Sequence, residues 1–159
     1  MVKSVSAAVQ GTIRYSERLY VPWWNWPLPL VGGALMGATI DLGYPGLRGW
    51  LPYVVVEALV VAIILALGRA RVRITDRELL VGEAHIPLEF IGEVEIFDRD
   101  HKRPALGRDA DPAAFVAHRG WVGPVVRARL TDPDDPTPYW LFSTRKPERV
   151  AELLRAHRA

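Results

Sequence analysis

The chain has 159 residues, with 20 Lys and Arg against 18 Asp and Glu, 13 Gly, 13 Pro, six Trp and no Cys. A hydrophobic share of 50% and a charged share of 24% exclude a disordered, collagen-like or low-complexity chain. The lack of cysteine excludes disulfides, thiolate nucleophiles, iron–sulfur ligation and Cys-containing zinc sites, so burial must hold the fold together. Charge is segregated: residues 1–20 carry a net +2, residues 21–68 a net −1 and residues 69–159 a net +1. So thin an excess gives no electrostatic footprint for nucleic acid.

Residues 1–20 form an N-terminal segment, and residues 1–14 have too little periodicity to assign. Residues 19–40 then contain no charge, and residues 49–68 contain only Glu57. A helix of about 20 apolar residues crosses the ~30 Å hydrocarbon layer. The expectation is therefore a transmembrane helical hairpin over residues 21–68, with helices at about 26–43 and 51–68. Pro22, Pro27 and Pro29 cluster at the start of the first run and Pro52 at the start of the second, where a first helical turn tolerates proline. Tyr20, Trp23, Trp24 and Trp26 on one side, and Tyr44, Trp50 and Tyr53 on the other, suit the two water interfaces. Lys3, Arg14 and Arg18 before the hairpin and Arg69, Arg71, Arg73 and Arg77 after it outnumber Arg48 in its turn. By the positive-inside bias, both termini are expected in the cytoplasm of a multi-pass protein of the inner or plasma membrane.

After Gly68 the period shortens. Alternating Arg71, Val72, Arg73 and Ile74, then residues 79–81, 85–90 and 93–97, read as half-buried antiparallel strands joined by short turns. Residues 99–112 read as a charged loop, and residues 113–117, 125–130 and 139–143 supply three more strands. A final helix over residues 147–158 opens at Pro147 with Thr144 as candidate cap, and aligns Val150, Leu153, Leu154 and His157. This element order resembles a pleckstrin-homology-like barrel, so residues 69–159 are expected to be a cytoplasmic domain of that kind. The first hairpin loop, Asp76-Arg77-Glu78, lacks the basic character that lipid-binding members carry there.

Several strings carry a more specific resemblance. Tyr15-Ser16-Glu17-Arg18-Leu19 with Pro22-Trp23-Trp24, Gly43-Tyr44-Pro45-Gly46 with Trp50-Leu51-Pro52-Tyr53, and Asp132-Pro133-Asp134-Asp135-Pro136-Thr137-Pro138-Tyr139-Trp140 leading into Ser143-Thr144-Arg145 resemble the domain-of-unknown-function 3093 family of actinobacterial membrane proteins. The resemblance runs from about Tyr15 to Leu154 and departs at Gly120, where a proline is expected between Arg119 and Trp121. It implies the two-helix membrane architecture and carries over no mechanism and no assigned catalytic residue.

Asp41 and Glu57 are ionisable groups in apolar runs and stand as candidate intramembrane polar residues. They serve either as structural hydrogen-bonding groups or as a proton or cation relay. Gly33 and Gly37 form a Gly-x-x-x-Gly pair for close helix packing, within one chain or between copies. Asp132, Asp134, Asp135, Tyr139 and Trp140 form a stiff acidic and aromatic candidate partner-binding segment. Arg99, Lys102, Arg103 and Arg108 form a candidate lipid-headgroup loop, with a solvated loop as the plain alternative. His85, His101, His118 and His157 have no metal spacing, and Walker, Gly-x-Ser-x-Gly and His-Glu-x-x-His motifs are absent. No metal or cofactor is expected. The reading is a non-enzymatic membrane-anchored interaction or scaffold module, with lipid, an unidentified protein or a second copy as partner and no nucleic acid. The alternative is an oligomeric transport or channel accessory using Asp41 and Glu57. A hydrolase drawing on Asp132, Asp134, Asp135 and His118 is the minor third.

Overall fold

Proline sets where the two central helices begin. In the computed structural model, which describes residues 11–43, 49–98, 101–107 and 110–157, helix α1 (Pro27–Gly43) opens with Pro27 and Pro29 in its first turn. The amides of that turn have no helical acceptor, so proline loses nothing there. Helix α2 (Leu51–Leu67) likewise carries Pro52 near its start. The helices touch along the two small residues. A Cβ added at Gly37 would lie 2.9 Å from Tyr53 Cδ1 and 3.2 Å from Tyr53 Cα, and one at Gly33 would lie 3.0 Å from Glu57 Oε1. Gly33 and Gly37 thus pack α1 on α2 within one chain, where a larger residue would push the helices apart.

The expected transmembrane hairpin is overturned. Among the described residues no helix is long and apolar enough to cross a membrane. At 17 residues each, α1 and α2 are about 26 Å long, short of the ~30 Å hydrocarbon layer. The uncharged run of the sequence overstated the first helix because its opening residues are not helical. Leu19 is a buried core residue at 2% exposure, and Trp23–Asn25 form a 3-10 turn. The multi-pass inner-membrane placement with cytoplasmic termini, which rested on two spanning helices, falls with them.

Residues 20–69 make one compact unit, and the flanking chain makes a second. The second unit begins with a strand the sequence left unassigned: β1 (Ile13–Arg18) pairs antiparallel with β2 (Arg71–Thr75). β3 (Glu78–Val81) and β4 (Ala84–Pro87) complete a four-stranded sheet in the order β1-β2-β3-β4. Thr75 Oγ1 accepts the amides of Arg77 and Glu78 and so fixes the β2–β3 turn. Gly82, at φ +66°, supplies the left-handed residue of the β3–β4 turn.

A second sheet combines β5 (Ile91–Phe97), β6 (Phe115–Ala117), β7 (Val125–Leu130) and β8 (Tyr139–Ser143) in the order β5-β7-β8-β6. β6 runs parallel to β8, and the other pairs are antiparallel. A short helix, α3 (Lys102–Leu106), lies in the segment read as loop, and α4 (Pro147–Ala156) closes the described chain. The fold is α+β with two sheets. The single pleckstrin-homology-like antiparallel barrel expected from element order is not what these sheets form. β1 joins from before the hairpin and β6 enters parallel, neither of which the period of residues 69–159 reveals.

Both sheets and α4 contribute to one core, including Val72, Ile74, Leu79, Val126, Trp140, Phe142, Val150 and Leu154. β8 lies between two neighbours and is covered on both faces, which explains its unbroken apolar sequence. Trp140 and Phe142 face the main core, while Tyr139 and Leu141 join Val125, Phe97 and Leu106 in a smaller one. Lys146, rather than Thr144, occupies the α4 cap position, with no side-chain capping bond.

Candidate functional site

The hairpin unit leaves most of its large apolar side chains uncovered. Leu28 is 83% exposed and Leu42 84%, and Val31, Leu35, Met36, Val54, Val55, Leu59, Ile63 and Leu65 are all at least half exposed. These residues fall on several sides of α1 and α2, because two helices meeting along a glycine stripe can cover only that stripe. Asp41 and Glu57 are half-buried. Among the described residues Glu57 Oε2 is buried without a hydrogen-bond partner, and the Glu57 side chain lies against Gly33. The Asp41 carboxylate lies near Gly49, while Arg48, expected to reach it, is outside the described residues. A relay through a membrane by Asp41 and Glu57 is not carried forward, because it required helices that cross.

The Asp132–Trp140 segment divides in two. Asp132 Oδ1 accepts the Asp134 amide and Asp135 Oδ1 the Thr137 amide, each at 2.9 Å, so these acids brace their own turns. The Thr137 side-chain and backbone hydrogen bonds hold the Asp135 carboxyl below its usual range. Tyr139 and Trp140, at 8% and 6% exposure, are core residues: the Tyr139 hydroxyl accepts the Asp111 amide and Trp140 packs on Phe115 at 4.6 Å between centroids. The aromatic half of the expected docking segment is thus turned inward, and only the acids reach solvent.

In the expected headgroup loop, Arg103 is exposed, whereas Lys102 Nζ donates to the Val122 carbonyl at 3.1 Å. Arg99 and Arg108 lie outside the described residues.

Two clusters escaped the sequence reading. Glu17 on β1 accepts hydrogen bonds from the Tyr15 hydroxyl at 2.7 Å, the Thr144 hydroxyl at 2.7 Å and the Arg145 amide at 3.0 Å. The two strings Tyr15–Leu19 and Ser143–Arg145, 127 positions apart at Glu17 and Thr144, therefore meet as one clasp tying β1 to the end of β8. Burial, and then the bond to Glu17, push the Tyr15 hydroxyl up to about 12. Beside the clasp, His118 Nδ1 lies 3.1 Å from Ser143 Oγ, which also accepts the Arg119 amide at 2.9 Å. Ser143 is fully buried, so its hydroxyl holds backbone rather than facing a substrate. Burial, then Lys102 and Arg119, lower the His118 pKa. The acids Asp132, Asp134 and Asp135 make no bond to His118 among the described residues, and the one serine beside it is Ser143.

The second cluster is basic. The β1–β2 register places Arg18 opposite Arg71 and Ser16 opposite Arg73. Cross-strand partners project to one side of a sheet, so three guanidinium groups share the face opposite Val72 and Ile74. Only the strand pairing reveals this, since β1 and β2 are separated in sequence by the whole hairpin.

No curated protein and no solved structure matches the chain. The family model described as "Protein of unknown function (DUF3093)" matches residues 14–154, a span that holds the hairpin, both sheets, the Glu17 clasp and the arginine face. The chain belongs to the DUF3093 family.

Proposed function

We propose that the protein is a non-enzymatic interaction module whose helical hairpin takes the acyl chains of a lipid layer against its flanks, without crossing that layer. One observation carries this reading: the exposed apolar side chains of α1 and α2 surround the hairpin instead of forming one stripe. Exposed apolar area of this extent marks a surface that is covered in use. A protein partner or a second copy covers one face and leaves the remaining apolar faces in water. An apolar medium covers all of them, and α1 and α2 have no polar face to spare. The burial of Ser143 beside His118 supports a structural rather than a catalytic use of that pair.

Flotation of the full chain with phosphatidylcholine vesicles tests the reading, beside the variant Leu28→Lys/Leu35→Lys/Leu59→Lys. Vesicle binding by the wild type and its loss in the variant, with the β unit still folded by near-ultraviolet circular dichroism, is the expected result. A wild-type chain that stays monodisperse in buffer and ignores vesicles overturns the proposal. So does a discrete lipid-free dimer, which gives the flanks to a second copy.

A further inference from the structure

Three arginines crowd a sheet face that also holds Glu78 of β3, and among the described residues none of them forms an ion pair. Arg18 and Arg71 are direct cross-strand partners, and Arg73 follows on the same face of β2. Like charges placed opposite one another destabilise a strand pair, so the arrangement works against the fold. The Arg71 guanidinium registers this: its pKa is lowered, first by Arg18, with burial and Arg73 adding to the effect. Among the described residues the ion pairs lie elsewhere, at Arg127–Glu95, Arg129–Glu93 and Arg149–Glu152. Glu17, the acid next in sequence to Arg18, points to the other face and is taken by Tyr15, Thr144 and the Arg145 amide. A repulsive cluster retained without a partner inside the chain suits an anion from outside it. The guanidinium fork matches phosphate oxygens two at a time.

We propose that the face formed by Arg18, Arg71 and Arg73 binds the phosphate headgroups of an anionic lipid layer. The proposal rests on the reading of the hairpin as the lipid-seeking part and names the headgroup charge that goes with it. Chain connectivity favours a lipid phosphate over a soluble polyanion. β1 ends at Arg18 and the hairpin unit starts at Tyr20; the hairpin unit ends at Arg69 and β2 starts at Arg71. One residue separates each arginine from the hairpin unit, and two Cα–Cα steps span at most about 7.6 Å. Leu19 and Ala70, the intervening residues, are tied by a backbone hydrogen bond of 2.9 Å, so entry and exit strands hold both guanidinium groups together. A lipid layer engaged by the hairpin thus offers its phosphates to arginines only two residues along the chain from that unit.

The test measures binding of the full chain to two vesicle types, phosphatidylcholine alone and phosphatidylcholine with phosphatidylserine, for the wild type and for Arg18→Gln/Arg71→Gln/Arg73→Gln. A basic residue near an anionic leaflet contributes about fivefold in affinity. The triple variant is expected to bind the phosphatidylserine vesicles about a hundredfold more weakly and pure phosphatidylcholine unchanged, while the corresponding triple Lys variant keeps most of the affinity. Equal binding of wild type and triple Gln variant to phosphatidylserine vesicles overturns the arginine proposal and leaves the hairpin reading standing. Failure of the wild type on phosphatidylcholine, with arginine-dependent binding to phosphatidylserine, overturns the hairpin reading alone. Arginine-dependent binding to a duplex oligonucleotide without binding to phosphatidylserine vesicles assigns the face to nucleic acid and overturns the proposal. Thermal unfolding of the Gln variant at or above the wild-type temperature, as relief of repulsion predicts, excludes misfolding as the cause of lost binding.

Discussion

The hairpin unit and the β unit treat the same residue types in opposite ways. In the β unit Val72, Leu79, Val126 and Phe142 are fully buried between two sheets and α4. In the hairpin, Leu28, Leu35, Leu42 and Leu59 face outward, and the buried positions of α1 are Gly33 and Gly37. A two-sheet unit hides apolar residues because strand alternation gives each sheet an inner face and the other sheet covers it. Two helices without a polar face can bury only their line of contact. The β unit makes its own interior, whereas the hairpin leaves its apolar flanks uncovered, and this contrast underlies both proposals.

The largest break in that contrast comes from the core of the β unit. Trp140→Ala empties a site flanked by Phe115 and the α4 side of the core, and is expected to lower stability by about 3–5 kcal/mol in chemical unfolding. A surface-epitope role for Trp140 predicts almost no loss, so the same measurement separates the two readings. In the hairpin the sensitive positions are the small ones. Gly37→Ala drives a Cβ toward the Tyr53 ring and backbone and is expected to destabilise the helix pair by about 1–3 kcal/mol, followed by helical circular dichroism in mild detergent. Gly32→Ala, with nothing within 4 Å of its added Cβ, is expected to be neutral or to stabilise α1 by up to about 1 kcal/mol. Equal effects at the two glycines contradict the packing described.

Smaller effects sharpen the β unit's side of the comparison. Thr144→Val removes one of the donors to Glu17 and is expected to reduce stability by about 1–2 kcal/mol, largely abolished when Glu17 is already Gln, as a double-mutant cycle will show. His118 has a lowered pKa, so the folded state resists the proton that the unfolded chain accepts near 6.5. Its contribution is present above pH 6.5 and is lost as pH falls below it, and thermal unfolding at pH ~7.5 and ~5 is expected to show a smaller acid loss in His118→Gln. Tyr15 works in the other direction. Its hydroxyl, ordinarily at 10.0 and raised to about 12, favours the fold below pH 10 and loses that contribution as pH rises toward 12; Tyr15→Phe is expected to flatten this alkaline limb.

Much of the element order was legible because period follows burial. The alternation at Arg71–Thr75, the double-sided run Tyr139–Ser143 and the apolar spacing of α4 all announced themselves. Pro27, Pro29, Pro52 and Gly68 bounded the helices to within a residue. What sequence spacing could not carry was long-range. β1 has four of its six residues exposed and a partner strand across the hairpin, so neither composition nor period marked it. Tyr139 and Trp140 look like an aromatic display beside acidic turns, and only the central place of β8 turns them inward. The Glu17 clasp had a trace in the sequence, since both strings it joins carried the family resemblance, but nothing in either string named the other as partner. The membrane reading took two runs of about 18 residues as long enough to cross, whereas helices of 17 residues, about 26 Å each, fall short of the ~30 Å layer.

Under both proposals the hairpin unit meets an apolar phase and the β unit does not. Because the sequence has no cysteine, Leu59→Cys on α2 and Val116→Cys on β6 each give a single nitroxide attachment point. Both native side chains are exposed, so neither label disrupts a core. Collision of the two labels with oxygen and with a water-soluble nickel chelate, measured on the full chain with phosphatidylcholine–phosphatidylserine vesicles, reads the surroundings of each unit directly. The account predicts high oxygen and low nickel access at position 59 and the reverse at position 116. Equal nickel access at the two positions in the presence of vesicles would contradict it.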